Sequence, residues 1–187
     1  VSWDKTLEGN TLKYWAKSLG LEPTVENGAE LVIKAQLNGG ASAIYHAMDE
    51  GDVENIMKHP LTMIASDGRL VVPGEGHPHP RWYGTFPRVL GLFVREKQVL
   101  PLEEAIYKMS FLPAKTIGIK RRGLIKKGMF ADITIFDKNR IIDRATFEKP
   151  HQYSEGIHYV LVNGELAIDN GEFQNIKAGK VLRKNSD

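Results

Sequence analysis

The sequence predicts an α/β fold in two parts, and three observations carry that expectation. Through residue 113, helical and β-prone segments alternate, with connections too long for hairpins, as in parallel strands of βα units. Beyond it, short β-rich runs are separated by Asn-Gly turns. Between them, a short apolar run ends in Asp67-Gly68 and opens a long polar loop.

Leu12, Trp15, Ala16 and Leu19 recur at helical spacing, with Asn10 as the expected N-cap and Gly20 as the stop. A second helix starts after Pro23 with Thr24 as cap and runs toward Leu37, where Gly39-Gly40 breaks it. Ala43 to Met48 reads as a short buried strand. Asp49 caps a helix holding Val53, Ile56 and Met57, which His59-Pro60 ends. Leu61 to Ala65 reads as a second buried strand. The loop from Ser66 to Arg81 is rich in glycine and proline, and helical signal resumes over Pro87–Lys97 and Leu102–Met109. Phe130–Phe136 and Ile157–Val162 read as strands. Asn163-Gly164 predicts a hairpin into Glu165–Ile168, and Asn170-Gly171 marks a further turn.

With 187 residues, 42% hydrophobic and 26% charged, the chain has the make-up of a globular protein with a core. Its 25 Lys+Arg against 23 Asp+Glu are too balanced for a protein that grips nucleic acid by bulk charge. No cysteine is present, so disulfides, thiolate metal sites and a cysteine nucleophile are excluded, and a reducing, cytoplasmic setting is permitted. No apolar run approaches the length of a membrane span. Val1-Ser2-Trp3-Asp4-Lys5 lacks a signal pattern and an initiator Met and leads at once into helix, as expected of a trimmed chain or a fragment.

Asp67 is the sharpest chemical feature. Active sites of parallel α/β proteins lie at the C-terminal ends of strands, where a carboxylate ligates a metal or moves a proton. A cap or turn role is the alternative. His77 and His79 are spaced like a metal pair, but Pro78 and Pro80 favour polyproline geometry, in which the two rings do not share a face. Arg81, beside the loop, suits bidentate capture of a carboxylate, with a solvated surface arginine as the alternative. His46, in the first expected strand, reads as a satisfied core histidine, with a place facing the mouth of the α/β part as the alternative. The aromatics at 82, 83 and 86 line a pocket or pack the core. Lys120, Arg121, Arg122, Lys126 and Lys127, punctuated by Gly123 and Gly128, read as a solvated turn.

Ala65-Ser66-Asp67-Gly68, followed by the string from His79-Pro80-Arg81-Trp82-Tyr83-Gly84 to Leu90-Gly91, resembles the D-aminoacylase branch of the amidohydrolase superfamily, the N-acyl-D-amino-acid deacylases. The likeness continues through Leu102-Glu103-Glu104-Ala105-Ile106, Pro113-Ala114, Gly128 to Ile133 and Val162-Asn163-Gly164. It implies a metal-bearing (β/α)8 barrel joined to a β-sandwich. Residues 1–113 would be the last βα units of the barrel with the helices that follow, and residues 114–187 a portion of the sandwich. It implies hydrolysis of N-acyl-D-amino acids, small-molecule substrates, or the cyclic-amidase chemistry of hydantoinases and dihydropyrimidinases; a non-catalytic module is the other alternative. Asp67 matches the aspartate that ligates zinc and shuttles the proton, Arg81 matches the arginine that pairs with the substrate carboxylate, and His79 is its loop neighbour. The family's His-x-His and middle-strand histidines have no counterpart in this sequence. The chain alone is therefore expected to be inactive and to need a missing N-terminal segment or a homo-oligomer partner.

Overall fold

A computed structural model describes residues 3–184. The expected opening at Val1-Ser2 and the final positions of the C-terminal part, 185–187, lie outside the described residues. After a 3-10 turn at Lys5–Leu7, helix α1 covers Leu12–Ser18 and α2 covers Val25–Leu37. Thr24 caps α2 as expected, accepting from Asn27 N. The cap of α1 is Thr11 rather than Asn10: Thr11 Oγ1 accepts from Tyr14 N, while Asn10 donates its side-chain amide to Thr6 O. Helix α3, Glu50–Lys58, is capped by Asp49 and stops at His59.

The expected strands at Ala43–Met48 and Leu61–Ala65 do not form, and neither segment is buried. Tyr45 is 83% exposed, Met48 77% and Leu61 75%. A parallel strand draws its backbone bonds from neighbouring strands. Ile64 N instead donates to a helix carbonyl, Lys108 O, at 3.0 Å. Apolar composition without a ladder partner leaves both segments without strand pairing.

Helix α4, Arg81–Arg88, begins earlier than the helical signal suggests and runs on as a π-helical stretch, Val89–Glu96. Gly84 interrupts α4 with φ −144° and ψ 21°. Pro87 has no N–H to give Tyr83 O, and Ser154 Oγ donates to that carbonyl at 3.2 Å. Helix α5 spans Leu102–Met109. It is followed by α6, Phe111–Ile117, which accommodates Pro113 in its first turn and closes on Gly118 at φ +77°.

The remainder is a four-stranded antiparallel meander in the order β1-β2-β3-β4, with β1 Ile133–Phe136, β2 Ile157–Val162, β3 Glu165–Asp169 and β4 Glu172–Phe173. Val162 pairs with Glu165 across Asn163-Gly164, and Asp169 with Glu172 across Asn170-Gly171. All four turn residues have positive φ, the geometry that favours Asn-Gly in tight hairpins. Arg122 ion-pairs with Asp132, donates to Asn163 Oδ1 and lies 4.2 Å over the Phe130 ring. Asp132 Oδ1 accepts from Asn163 N at 2.8 Å, and Asn163 Nδ2 donates to Ala178 O. Thus one member of the basic cluster, expected to be solvated, is tied into the hairpin.

Met57, Val89, Leu90, Phe93, Leu100, Ala105 and Ile141 form one buried cluster, joining α3, the π-helical stretch and α5 to the approach to β2. Lys108 is 1% exposed; its Nζ donates to His59 O and Thr62 O and lies 3.5 Å from Glu104. That side chain fastens α5 to the segment leading into Asp67. At Gly91, an added Cβ would stand 2.4 Å from Ile142 Cδ1 and 2.6 Å from Ile141 O. Gly91→Ala is therefore expected to cost about 1–3 kcal/mol of stability by overpacking. Gly179→Ala, where nothing lies within 4 Å, is the control. Urea unfolding of both variants measures the difference, and equal midpoints would contradict the close approach.

Candidate functional site

Ser66-Asp67-Gly68 turns directly against the start of α4. Gly68 N donates to Ser66 Oγ at 3.0 Å, and Ser66 Oγ lies 3.1 Å from Thr85 Oγ1. Thr85 Oγ1 in turn donates to Arg81 O at 3.0 Å. A Cβ on Gly68 would come within 3.0 Å of Arg81 O and 3.1 Å of Trp82 Cα, so the turn closes at this distance because the residue is glycine. The result is an ion pair between Asp67 Oδ1 and Arg81 Nε at 2.7 Å. Two of the residues expected to act together, fourteen positions apart, meet directly.

Both remain open to solvent, Asp67 at 73% and Arg81 at 45% side-chain exposure. The ion pair uses Arg81 Nε, and the Nη end of the guanidinium makes no hydrogen bond among the described residues. That end is the fork suited to a second carboxylate.

His79 stands beside the pair. Its Nδ1 accepts from Arg81 N at 3.0 Å, which assigns the ring lone pair to Nδ1. Partial burial holds the His79 imidazole below the usual histidine range; the Arg81 charge lowers it further, Asp67 opposes the shift, and His46 adds a smaller lowering. The Phe147 ring meets His46 and His79 edge-on, at centroid distances of 4.5 and 5.2 Å. His46 is exposed rather than in the core, and it joins this cluster through Phe147. His77 does not share in it as a metal partner of His79: its Nε2 donates to Phe147 O at 2.5 Å. Tyr83 is half-buried and bonds His151, Trp82 is half-buried, and Phe86 is exposed.

Zinc binding normally calls for three or four protein ligands. Among the described residues, no three His, Cys, Asp or Glu side chains gather into a cation site. Asp67, already paired with Arg81, is a single carboxylate, so the described residues do not by themselves fit a catalytic zinc. Two shallow concavities, of about 260 and 310 Å3, are lined by other residues and include neither Asp67 nor Arg81. Among the described residues, no helix is long and apolar enough to cross a membrane.

A family model described as the amidohydrolase family matches residues 15–168. The chain belongs to the amidohydrolase family. This amidohydrolase chain is 42% identical over 159 residues to the N-acyl-D-glutamate deacylase of Alcaligenes xylosoxydans xylosoxydans, a match covering 85% of the chain and 32% of the relative. A solved D-aminoacylase structure superposes with a TM-score of 0.80 and 38% identity, over 92% of this chain and 34% of that one. The N-acyl-D-glutamate deacylase of Bordetella bronchiseptica, solved with zinc and a phosphonate inhibitor, gives a TM-score of 0.72 and 39% identity, over 84% of this chain and 31% of that one. The resemblance to the D-aminoacylase branch is thus upheld. Cyclic-amidase relatives are more distant: a dihydroorotase of Lactobacillus gasseri is 34% identical over 90 residues, 42% of the chain. The chain spans about a third of the length of the curated relatives it matches.

Sequence reasoning missed His151, Phe147 and Lys108. Each is a lone residue whose partners lie tens of positions away, and no local spacing marks it. For His79, a depressed folded value means that the neutral ring is favoured by the fold. The stability linked to it is complete above the unfolded value and is lost as pH falls through the folded one. Proton NMR titration is expected to place the His79 midpoint below the usual range. Asp67→Asn should lower it further and Arg81→Gln should raise it; a rise in Asp67→Asn would contradict the charge arrangement described.

Proposed function

We propose that this chain is part of an enzyme that hydrolyses the amide bond of N-acyl-D-amino acids. The observation that carries the reading is the direct pairing of Asp67 with Arg81, which puts an acid-base carboxylate next to a carboxylate-binding fork. In this reading the Nη pair of Arg81 takes the α-carboxylate of the substrate, while Nε keeps Asp67 oriented. His79 holds the backbone of Arg81 through its Nδ1 and walls the pocket with Phe147.

The water oxygen adds to the acyl carbonyl carbon, and Asp67 takes the proton that the water loses. The C–N bond then breaks, and Asp67 returns that proton to the departing nitrogen. The products are a carboxylate and a D-amino acid. The zinc implied by the family resemblance would take one candidate ligand from this chain, Asp67, and would polarise the amide carbonyl.

The division into a barrel-derived part, 1–113, and a sandwich-derived part, 114–187, belongs to the same reading, as does a cytoplasmic setting for a cysteine-free chain. So does completion of the site by a further segment or a second copy. The exposure of the large apolar side chains Tyr45, Met48, Leu61 and Leu70 supports this, because apolar surface left in water gains by being covered.

Co-expression with the remaining two-thirds of a deacylase relative is expected to yield a complex that releases D-amino acid from its N-acyl derivative. A soluble complex without that activity would overturn the proposal. In the active complex, Arg81→Ala should raise KM for N-acyl-D-amino acids by about tenfold or more, the scale of a lost charged hydrogen-bond pair. The KM for an amide lacking the carboxylate should stay near its original value; equal effects on both substrates would rule out carboxylate pairing by Arg81.

A further inference from the structure

The loop that delivers His79 and Arg81 has little structure of its own. Between Gly68 and Pro80 it contains neither helix nor strand, and Gly74 and Gly76 sit at φ +86° and +66°. Its internal tie is Glu75 N donating to Val72 O at 3.0 Å. Its bonds to distant parts of the chain come from one segment, residues 147–154, some seventy positions along. Gly74 N donates to His151 Nδ1 at 3.3 Å, His151 Nε2 meets Gly76 O at 3.0 Å, and His77 Nε2 meets Phe147 O. The same segment holds the start of α4, where Tyr83 OH lies 2.8 Å from His151 Nδ1 and Ser154 Oγ donates to Tyr83 O.

These partners define a single state of His151. Gly74 N can only donate, so Nδ1 carries the lone pair. The ring proton is then on Nε2 and is donated to Gly76 O. Tyr83 must donate its hydroxyl proton to Nδ1, and burial, with Tyr153 adding to it, pushes the Tyr83 phenol up and keeps that proton in place. One imidazole therefore grips the loop from two sides and the helix start from a third, with Arg81 lying between the gripped points.

We propose that His151 is a positioning residue for the proposed deacylase site: it sets the Gly74–Arg81 loop so that the Arg81 fork faces a substrate carboxylate. The inference deepens the deacylase reading and rests on it for its functional meaning. The clamp itself stands on contacts within this chain.

The test has two arms. In the intact chain, histidine nitrogen NMR is expected to show the His151 proton on Nε2 and Nδ1 as an acceptor; a proton on Nδ1 would overturn the clamp. His151→Ala should speed hydrogen exchange of the Gly74 amide by about tenfold or more. The β1–β4 amides, unchanged, would show that the variant folds. His151→Gln, which can accept and donate from one side chain, should restore most of the protection, and Tyr83→Phe should lose only part of it. Exchange unaffected in His151→Ala, or no rescue by Gln, would refute the proposal.

In the co-expressed enzyme, His151→Ala should raise KM for the N-acyl-D-amino acid while kcat stays within about threefold, because Arg81 is displaced rather than removed. An equal KM rise for the carboxylate-free amide would also refute action through Arg81. If the wild-type complex shows no deacylase activity, the proposed function fails while the NMR arm still decides the clamp.

Discussion

The close approach of the Arg81–Glu96 helix to residues 140–156 is the constraint on which the rest of the structure depends. Two glycines permit it, Gly84 against Asp143 and Gly91 against Ile141 and Ile142, and a third, Gly156, closes the 140–156 segment on itself against Arg140 and Ile141. In each case a Cβ would stand 2.5 Å or less from a neighbouring heavy atom. With the backbones this near, Ile141 enters the core and Arg95 donates to Ile141 O. Arg88 reaches Asp143, whose side chain is only 6% exposed. The carbonyl of Tyr83, which Pro87 cannot serve, finds Ser154. A burial of polar groups this close is tolerated because each one is bonded.

The same contact explains how a loop with almost no internal hydrogen bonding holds a defined course. Gly74, Gly76 and His77 are fixed from outside by His151 and Phe147. Asp67 and Arg81 are consequently brought together by two independent supports, the Ser66–Thr85 hydroxyl contact on one side and the 147–154 segment on the other. Their ion pair is too solvated to be a main source of stability. It engages Arg81 through Nε rather than through the forked Nη end of the guanidinium.

Local chemistry made much of the helical part legible. Thr24 and Asp49 cap α2 and α3 because a side-chain oxygen satisfies an otherwise orphaned N–H within three residues, a relation visible in sequence. Asn163-Gly164 and Asn170-Gly171 form their turns for a similarly local reason, the tolerance of positive φ. Ala43–Met48 and Leu61–Ala65 were not legible in this way. Their composition suits buried strands, but a strand is completed by its neighbours, and neither the ladder nor the burial is present. Helix α6 was hidden by Pro113, which disrupts a helix interior but fits a first turn.

At the site, the sequence by itself determined which groups are the candidates for chemistry. A carboxylate precedes a glycine at position 67, an arginine follows His79-Pro80, and the Asp-Gly and Gly/Pro spacing allows the chain to turn there. It also determined family membership, since the string from His79 to Gly91 is long and specific. Only the tertiary structure decided that Asp67 pairs with Arg81, that His46 and His79 flank Phe147, and that His151 holds the loop. The reason is physical. Caps, turns and proline effects act within a few residues, whereas an ion pair or a histidine clamp depends on where packing places groups separated by tens of positions.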